Sequence, residues 1–244
     1  GTAATDVTAN ALTLIAGSAG IGASGNPLTT NVASLVTNSD AATDGTQFLI
    51  EADSLAIGAA GLLAGGQTIT LNGGTFFINA TGSILSNVTV ENGATLGGSG
   101  AVVGTVLVNS GGTVSPGNSP GCITTNDLTL TTNSVFAVEI NGPTACIDHD
   151  QIIVRGNVTL GGATLNVTGT AAVTVGQNIT IIDNDGSSDG VSGTFSGLIE
   201  GALVTVNSVA GPVVFAITYS GGDGNDVVLL PQDVITVSAF PSIV

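Results

Sequence analysis

Val88-Thr89-Val90-Glu91-Asn92-Gly93-Ala94-Thr95-Leu96 holds a short β-branched strand, an Asn-Gly turn and the start of a second strand. The same phrase returns as Val106-Leu107-Val108-Asn109-Ser110-Gly111-Gly112-Thr113-Val114 and as Val158-Thr159-Leu160-Gly161-Gly162-Ala163-Thr164-Leu165. Looser copies stand at Ile69–Phe76 and Leu128–Val135, so the phrase recurs at intervals of roughly 18 to 30 residues. One strand-turn-strand unit cannot bury its own apolar face, whereas stacked units bury a continuous one. The spacing therefore predicts a solenoid in which Val88, Val90, Val106, Val108, Leu128, Leu130, Val158 and Leu160 point into a shared bore.

Composition agrees with an all-β chain. Apolar residues are 43% of the 244, yet aromatics are only 3%. The apolar content is Val, Ile, Leu and Ala mixed with Thr, Asn and Gly, which suit pleated surfaces and tight turns. No run of long side chains follows a helical period, so no substantial helix is expected.

Seventeen acidic residues face one basic residue, Arg155, giving a formal net charge of −16. Phosphate recognition needs many Lys and Arg contacts, so nucleic acid is excluded as a partner. Anionic membrane surfaces are excluded for the same reason. No apolar run approaches the length of a membrane-spanning helix, and membrane insertion is not expected. No basic and then apolar leader opens the chain, which for a secreted protein reads as a leader already removed.

Cys122 and Cys146 are too few for a zinc site and lie about one repeat apart, a spacing that sets them on adjacent coils. They are expected to form a disulfide, with two buried free thiols as the alternative; a secreted protein favours the bond.

Several segments carry a resemblance. Gly93-Ala94-Thr95-Leu96-Gly97-Gly98-Ser99-Gly100, followed by Ser115-Pro116-Gly117-Asn118-Ser119-Pro120-Gly121, resembles the autotransporter-associated, passenger-type β-helix repeat of bacterial surface proteins. The order continues through Val138–Gly142, Asp148-His149-Asp150-Gln151, and Tyr219 with Gly221-Gly222-Asp223-Gly224-Asn225-Asp226. Residues 10–60 are similar to haemagglutinin-like repeats of large secreted proteins. The resemblance implies a right-handed parallel β-helix over residues 1–175, further coils or a cap as an irregular C-terminal β segment over 176–230, and a strand-like tail over 231–244. It also implies a secreted or cell-surface location. On the order of ten coils at about 4.8 Å each would make a rod roughly 50 Å long.

Enzymatic readings meet obstacles in the residue list. A polysaccharide lyase needs basic groups to abstract a proton and to neutralise the substrate carboxylate, and only Arg155 is available. His149, the single histidine, sits between two acids and reads as a surface or turn residue. Arg155 reads as an ion-pair partner for a carboxylate such as Asp150. Sugar grooves stack rings on Trp or Tyr, and the chain has no Trp and only Tyr219. No cofactor and no enzymatic activity is expected.

Calcium is the one ligand that two segments suggest. Gly221–Leu229 matches the Gly-Gly-x-Gly-x-Asp-x-U-x nonapeptide of calcium-binding β-rolls, with Asp223 and Asp226 as its carboxylates. Asp183, Asp185 and Asp189 stand in a loop of alternating oxygen ligands ending in a Gly turn, without the closing bidentate Glu. The plain alternatives are a structural turn and a solvated acidic loop.

After Pro231, Val234-Ile235-Thr236-Val237-Ser238-Ala239-Phe240 alternates like a strand. Val234, Thr236 and Ser238 fall on one face, Ile235 and Val237 on the other. With Phe240, these residues are expected to pair outside their own molecule, making a head-to-tail homopolymer; the alternatives are that the tail folds back as the molecule's own cap or serves as a linker into a further domain. The functional expectation is an extracellular bacterial surface or matrix protein, a stiff rod that serves as an adhesin segment or filament subunit, with surface glycans or matrix as further candidate partners. A carbohydrate-binding or carbohydrate-modifying β-helix is the alternative.

Overall fold

The computed structural model describes residues 5–16, 20–38, 46–57, 61–63, 67–186, 188–208 and 211–233. All regular structure among them is β, and no helix is long and apolar enough to cross a membrane. The first coils use long strands: β1 (Val7–Ile15), β2 (Leu28–Asn38), β3 (Gln47–Ile57), the short β4 (Leu62–Leu63), β5 (Thr68–Ile78) and the short β6 (Ser83–Ile84). Where Gly and Asn punctuate the sequence more densely, each coil breaks into three short strands. These are β7 (Asn87–Val90), β8 (Ala94–Gly98) and β9 (Ala101–Val102), then β10 (Val106–Val108), β11 (Thr113–Pro116) and β12 (Cys122–Thr125). The next two coils carry β13 (Leu128–Leu130), β14 (Val135–Glu139) and β15 (Gln151–Val154), then β16 (Val158–Thr159), β17 (Thr164–Thr168) and β18 (Ile179–Asn184). The remaining strands are β19 (Val191–Ser192), β20 (Leu203–Ser208), β21 (Gly211–Gly221) and β22 (Asp226–Pro231).

Parallel pairing stacks these coils into three faces. One runs β1-β2-β3-β5-β7-β10-β13-β16-β19. A second joins the end of β5 to β8, β11, β14 and β17. The third stacks β4, β6, β9, β12, β15 and β18. Equivalent residues on the first face, Ile69, Val88, Val106, Leu128, Val158 and Val191, therefore lie 19, 18, 22, 30 and 33 residues apart. Nine strands at about 4.8 Å give a first face of roughly 38 Å. That is shorter than the sequence spacing suggested, because later coils lengthen and the last strands leave the stack.

All eight residues predicted to fill the bore are at most 1% exposed. They extend into apolar ladders such as Leu71-Val90-Val108-Leu130 and Phe76-Leu96-Val114-Phe136. Burying each such side chain stabilises the fold by about 1.5–3 kcal/mol, so the stack holds without many aromatics.

The two ends of the solenoid differ. At the carboxyl-terminal end, pairing turns antiparallel: β20 pairs β21, β21 pairs β22, and β22 pairs β18. Over 176–230, expected as further coils or a cap, the parallel stack continues through β19 and an antiparallel meander follows. That meander buries Phe195, Phe215 and Ile217, and Phe195 stacks on Phe136 with ring centroids 5.9 Å apart. At the other end, the inward residues Ala9 and Leu12 of β1 are half-buried, whereas their partners one coil in, Val32 and Leu35, are 2% and 1% exposed.

Candidate functional site

The Ser-Pro-Gly-Asn-Ser-Pro-Gly turn after β11 is built around a carboxylate from the following coil. Asp150, 4% exposed, accepts the Gly121 N–H at 2.9 Å and the Glu139 N–H at 2.8 Å. Burial pushes its pKa up to about 6, against the lowering effect of those two donors, and Glu139 adds to the rise. The Arg155 side chain is exposed, so the expected ion pair gives way to backbone donors. Buried N–H groups need acceptors more than a solvated guanidinium does.

Beside this turn lies a trough of about 230 Å³, lined among others by Phe77, Ser115, Asn118, Ser119 and Glu139. The Ser119 hydroxyl donates to Glu139 Oε2 at 2.6 Å, and Asn141 Nδ2 donates to Oε1 at 2.7 Å. Phe77 is registered with Gly97 and then Ser115 along the outer surface. A Cβ on Gly97 would meet Phe77 Cε1 at 2.8 Å, so the missing side chain is what lets the ring rest on the neighbouring coil. Nothing in the sequence around Phe77 marks it as a platform, because only the β5–β8 pairing sets its ring over Gly97. Tyr219 is no platform: its hydroxyl donates to the Leu198 carbonyl and accepts the Phe195 N–H.

The segment before Asp150 is a compact loop tied back to the preceding coil. Cys122 and Cys146 form a disulfide across it, with Cα atoms 4.9 Å apart. His149 is 1% exposed, and its Nδ1 faces the Gly142 carbonyl at 3.1 Å. The surface reading of His149 is thus overturned. Its acidic neighbours suggested solvent, but the loop folds the ring inward, and burial lowers its pKa against the opposing carbonyls and Asp148.

The two segments suggestive of calcium converge at one corner of the meander. Gly222 to Asn225 form the β21–β22 hairpin turn, and the carboxylate of Asp226 occupies the space where a Gly222 Cβ would stand. Asp226 Oδ1 accepts the Asn184 N–H at 2.9 Å. Asn225 Nδ2 donates to the carbonyls of Gly186 and Asp189, closing the acidic loop onto the hairpin. Burial raises the pKa of Asp183 and Asp226, and each feels Asp223; Asp183 also feels Asp185. Among the described residues, no three His, Cys, Asp or Glu side chains come close enough together to hold an ion.

The tail residues Val234, Ile235, Thr236, Val237 and Phe240 lie outside the described residues. Compared with protein-family models and with curated proteins, the chain matches none, so the likeness to passenger-type repeats rests on the residues quoted above.

Proposed function

We propose that the protein is a non-enzymatic, extracellular structural protein of a bacterial surface or matrix, in which the β-solenoid acts as a stiff rod within an adhesin or filament. The observation that carries this reading is the nine-strand ladder of the first face, which runs from β1 to β19 with register shifts at β2–β3 and β3–β5 and is backed by apolar ladders along the bore. Every coil is hydrogen-bonded to its neighbours and the core runs along the axis, so bending must disturb packed side chains as well as backbone bonds. The Cys122–Cys146 disulfide fits an oxidising compartment. The surface carries a large net negative charge, which keeps an exposed rod soluble.

Immunogold labelling of thin sections of producing cells tests the reading. Label on surface rods or surrounding matrix supports it, and label confined to the cell interior rejects it.

A carbohydrate-binding role is favoured by one observation, the partly exposed Phe77 ring bordering a trough lined by Ser115, Asn118, Ser119 and Glu139. A ring face with hydroxyl and carboxylate acceptors at its rim is the chemistry of a neutral sugar subsite. Phe77→Ala should abolish retention on a glycan array if this role is real; unchanged retention removes it.

A further inference from the structure

We infer that the corner between the acidic loop and the β21–β22 hairpin binds one divalent cation, calcium by its ligand set, with the side-chain oxygens of Asn184 and Asn225 as neutral ligands and the carboxylates of Asp189 and Asp226 as charged ones. The inference stands apart from the rod reading and concerns how the meander is fastened to the stack.

The two amide oxygens carry it. Asn184 is 1% exposed and Asn225 7%, and the Oδ1 atom of each is buried with no hydrogen-bond partner. Their nitrogens, by contrast, are placed. Asn184 Nδ2 donates to the Asp189 carbonyl at 3.2 Å, and Asn225 Nδ2 donates to the same carbonyl at 2.7 Å and to that of Gly186. Only a nitrogen can face those carbonyls, which settles which end of each amide is the oxygen. Both side chains are thus held against one loop with their acceptors left over. A buried acceptor without a donor is costly, and two of them on side chains that share one carbonyl call for a partner that brings positive charge.

The surroundings are acceptors as well. Asp226 Oδ1 accepts the Asn184 N–H at 2.9 Å, and Asp189 Oδ1 lies 3.4 Å from Asn225 Nδ2. Asp183 and Asp223 stand close enough to press electrostatically on Asp226. The whole chain has one basic side chain for 17 acids, so most of this charge has to be met from solution. Among the described residues no three His, Cys, Asp or Glu side chains converge tightly enough to hold an ion, and the two amide oxygens supply what the carboxylates lack. Calcium accepts carboxylate and amide carbonyl oxygens together, with water filling the rest of about 6–8 positions, whereas magnesium demands a near-ideal octahedron and gives up its water reluctantly.

The site would join three separate segments. Asn184 closes the last strand of the third face, Asp189 belongs to the loop that follows it, and Asn225 and Asp226 begin the return strand of the hairpin. An ion held by all of them fastens the meander to the parallel stack, and its binding stabilises the folded chain by linkage.

The test uses the full chain, stripped of metal with chelator and titrated with calcium chloride. Calorimetry should show one saturable site, and calcium should raise the melting temperature and slow hydrogen exchange in β22 relative to chelator. Asn184→Leu, which removes the oxygen at similar volume, should weaken binding at least roughly tenfold, whereas Asn184→Asp, which keeps an oxygen in place, should bind at least as tightly as the wild type. Asp189→Asn serves if Asn184→Leu fails to fold: it should weaken calcium by a similar factor while its melting curve in chelator matches the wild type. Magnesium at equal concentration should leave calcium bound, and its displacing calcium would overturn the assignment of the ion. No saturable heat, with identical melting curves in calcium and in chelator, would overturn the site itself and leave ordered water as the partner of the two oxygens. Binding of many ions that none of these substitutions changes would overturn it equally, as diffuse attraction to an acidic surface.

Discussion

Asp150 shows how one buried group organises a turn and makes the fold sensitive to pH. Its carboxylate holds two backbone N–H groups from different segments, so Asp150→Ala should cost about 3 kcal/mol by leaving both without acceptors. The group's pKa in the folded protein is about 6, above its ordinary value of 3.8. The folded state therefore binds the proton more tightly, and this contribution to stability is full below about pH 4 and lost as pH rises through 6. Asp183 and Asp226 are raised and act in the same sense. His149 is lowered and acts oppositely, contributing stability above its ordinary 6.5 that is lost as pH falls through its lower folded value. Melting temperature should consequently decline between about pH 4 and 6, and Asp150→Asn should flatten that slope. A wild-type melting temperature that climbs steadily over this interval would contradict the assignment. None of this was legible in the sequence: Asp148-His149-Asp150 looks hydrophilic, and only the disulfide-tied loop turns two of the three inward.

Individual strands were easier to read than their partners. Alternation in Val88-Thr89-Val90 and its copies identifies strands and their inward faces, because period two leaves no other way to bury one side. It does not say whether a neighbour runs parallel or antiparallel. Strands β20 to β22 carry no residue signal that separates an antiparallel meander from further coils, which is why 176–230 reads as either coils or a cap. The meander is anchored by Phe195 on Phe136, so Phe136→Ala should destabilise the protein by about 3–5 kcal/mol and loosen this end first. Hydrogen exchange should rise in β20–β22 before it rises in β7–β10; uniform acceleration would argue against a separately anchored cap. The Gly-Gly-Asp-Gly-Asn-Asp phrase and the acidic loop were visible as two separate patterns. Their meeting was not, since Asp183 and Asp226 come together only through the β18–β22 pairing. As the corner is closed by the hydrogen bonds of Asn225 and Asp226, Asn225→Ala should lower the melting temperature. A fall in melting temperature in excess chelator would place calcium at this corner, and an unchanged curve would reject a stabilising ion there. Replacing Cys122 and Cys146 by serine should cost roughly 3 kcal/mol, and intact mass with and without reductant checks the bond directly.

At the scale of the whole molecule, the repeat announced a solenoid, but its length and the unlike character of its ends had to come from the pairing. One end is closed by a meander with an aromatic core and the other exposes half-buried Leu12 and Leu14. The central claim is that this chain is an axial rod whose strands lie across its length. Cryo-electron microscopy of the purified full chain at high concentration tests it most directly. Elongated units of roughly 40 Å joined end to end, with a meridional spacing of about 4.8 Å along the fibre, are expected. Compact particles with no common axis and no such spacing would contradict it.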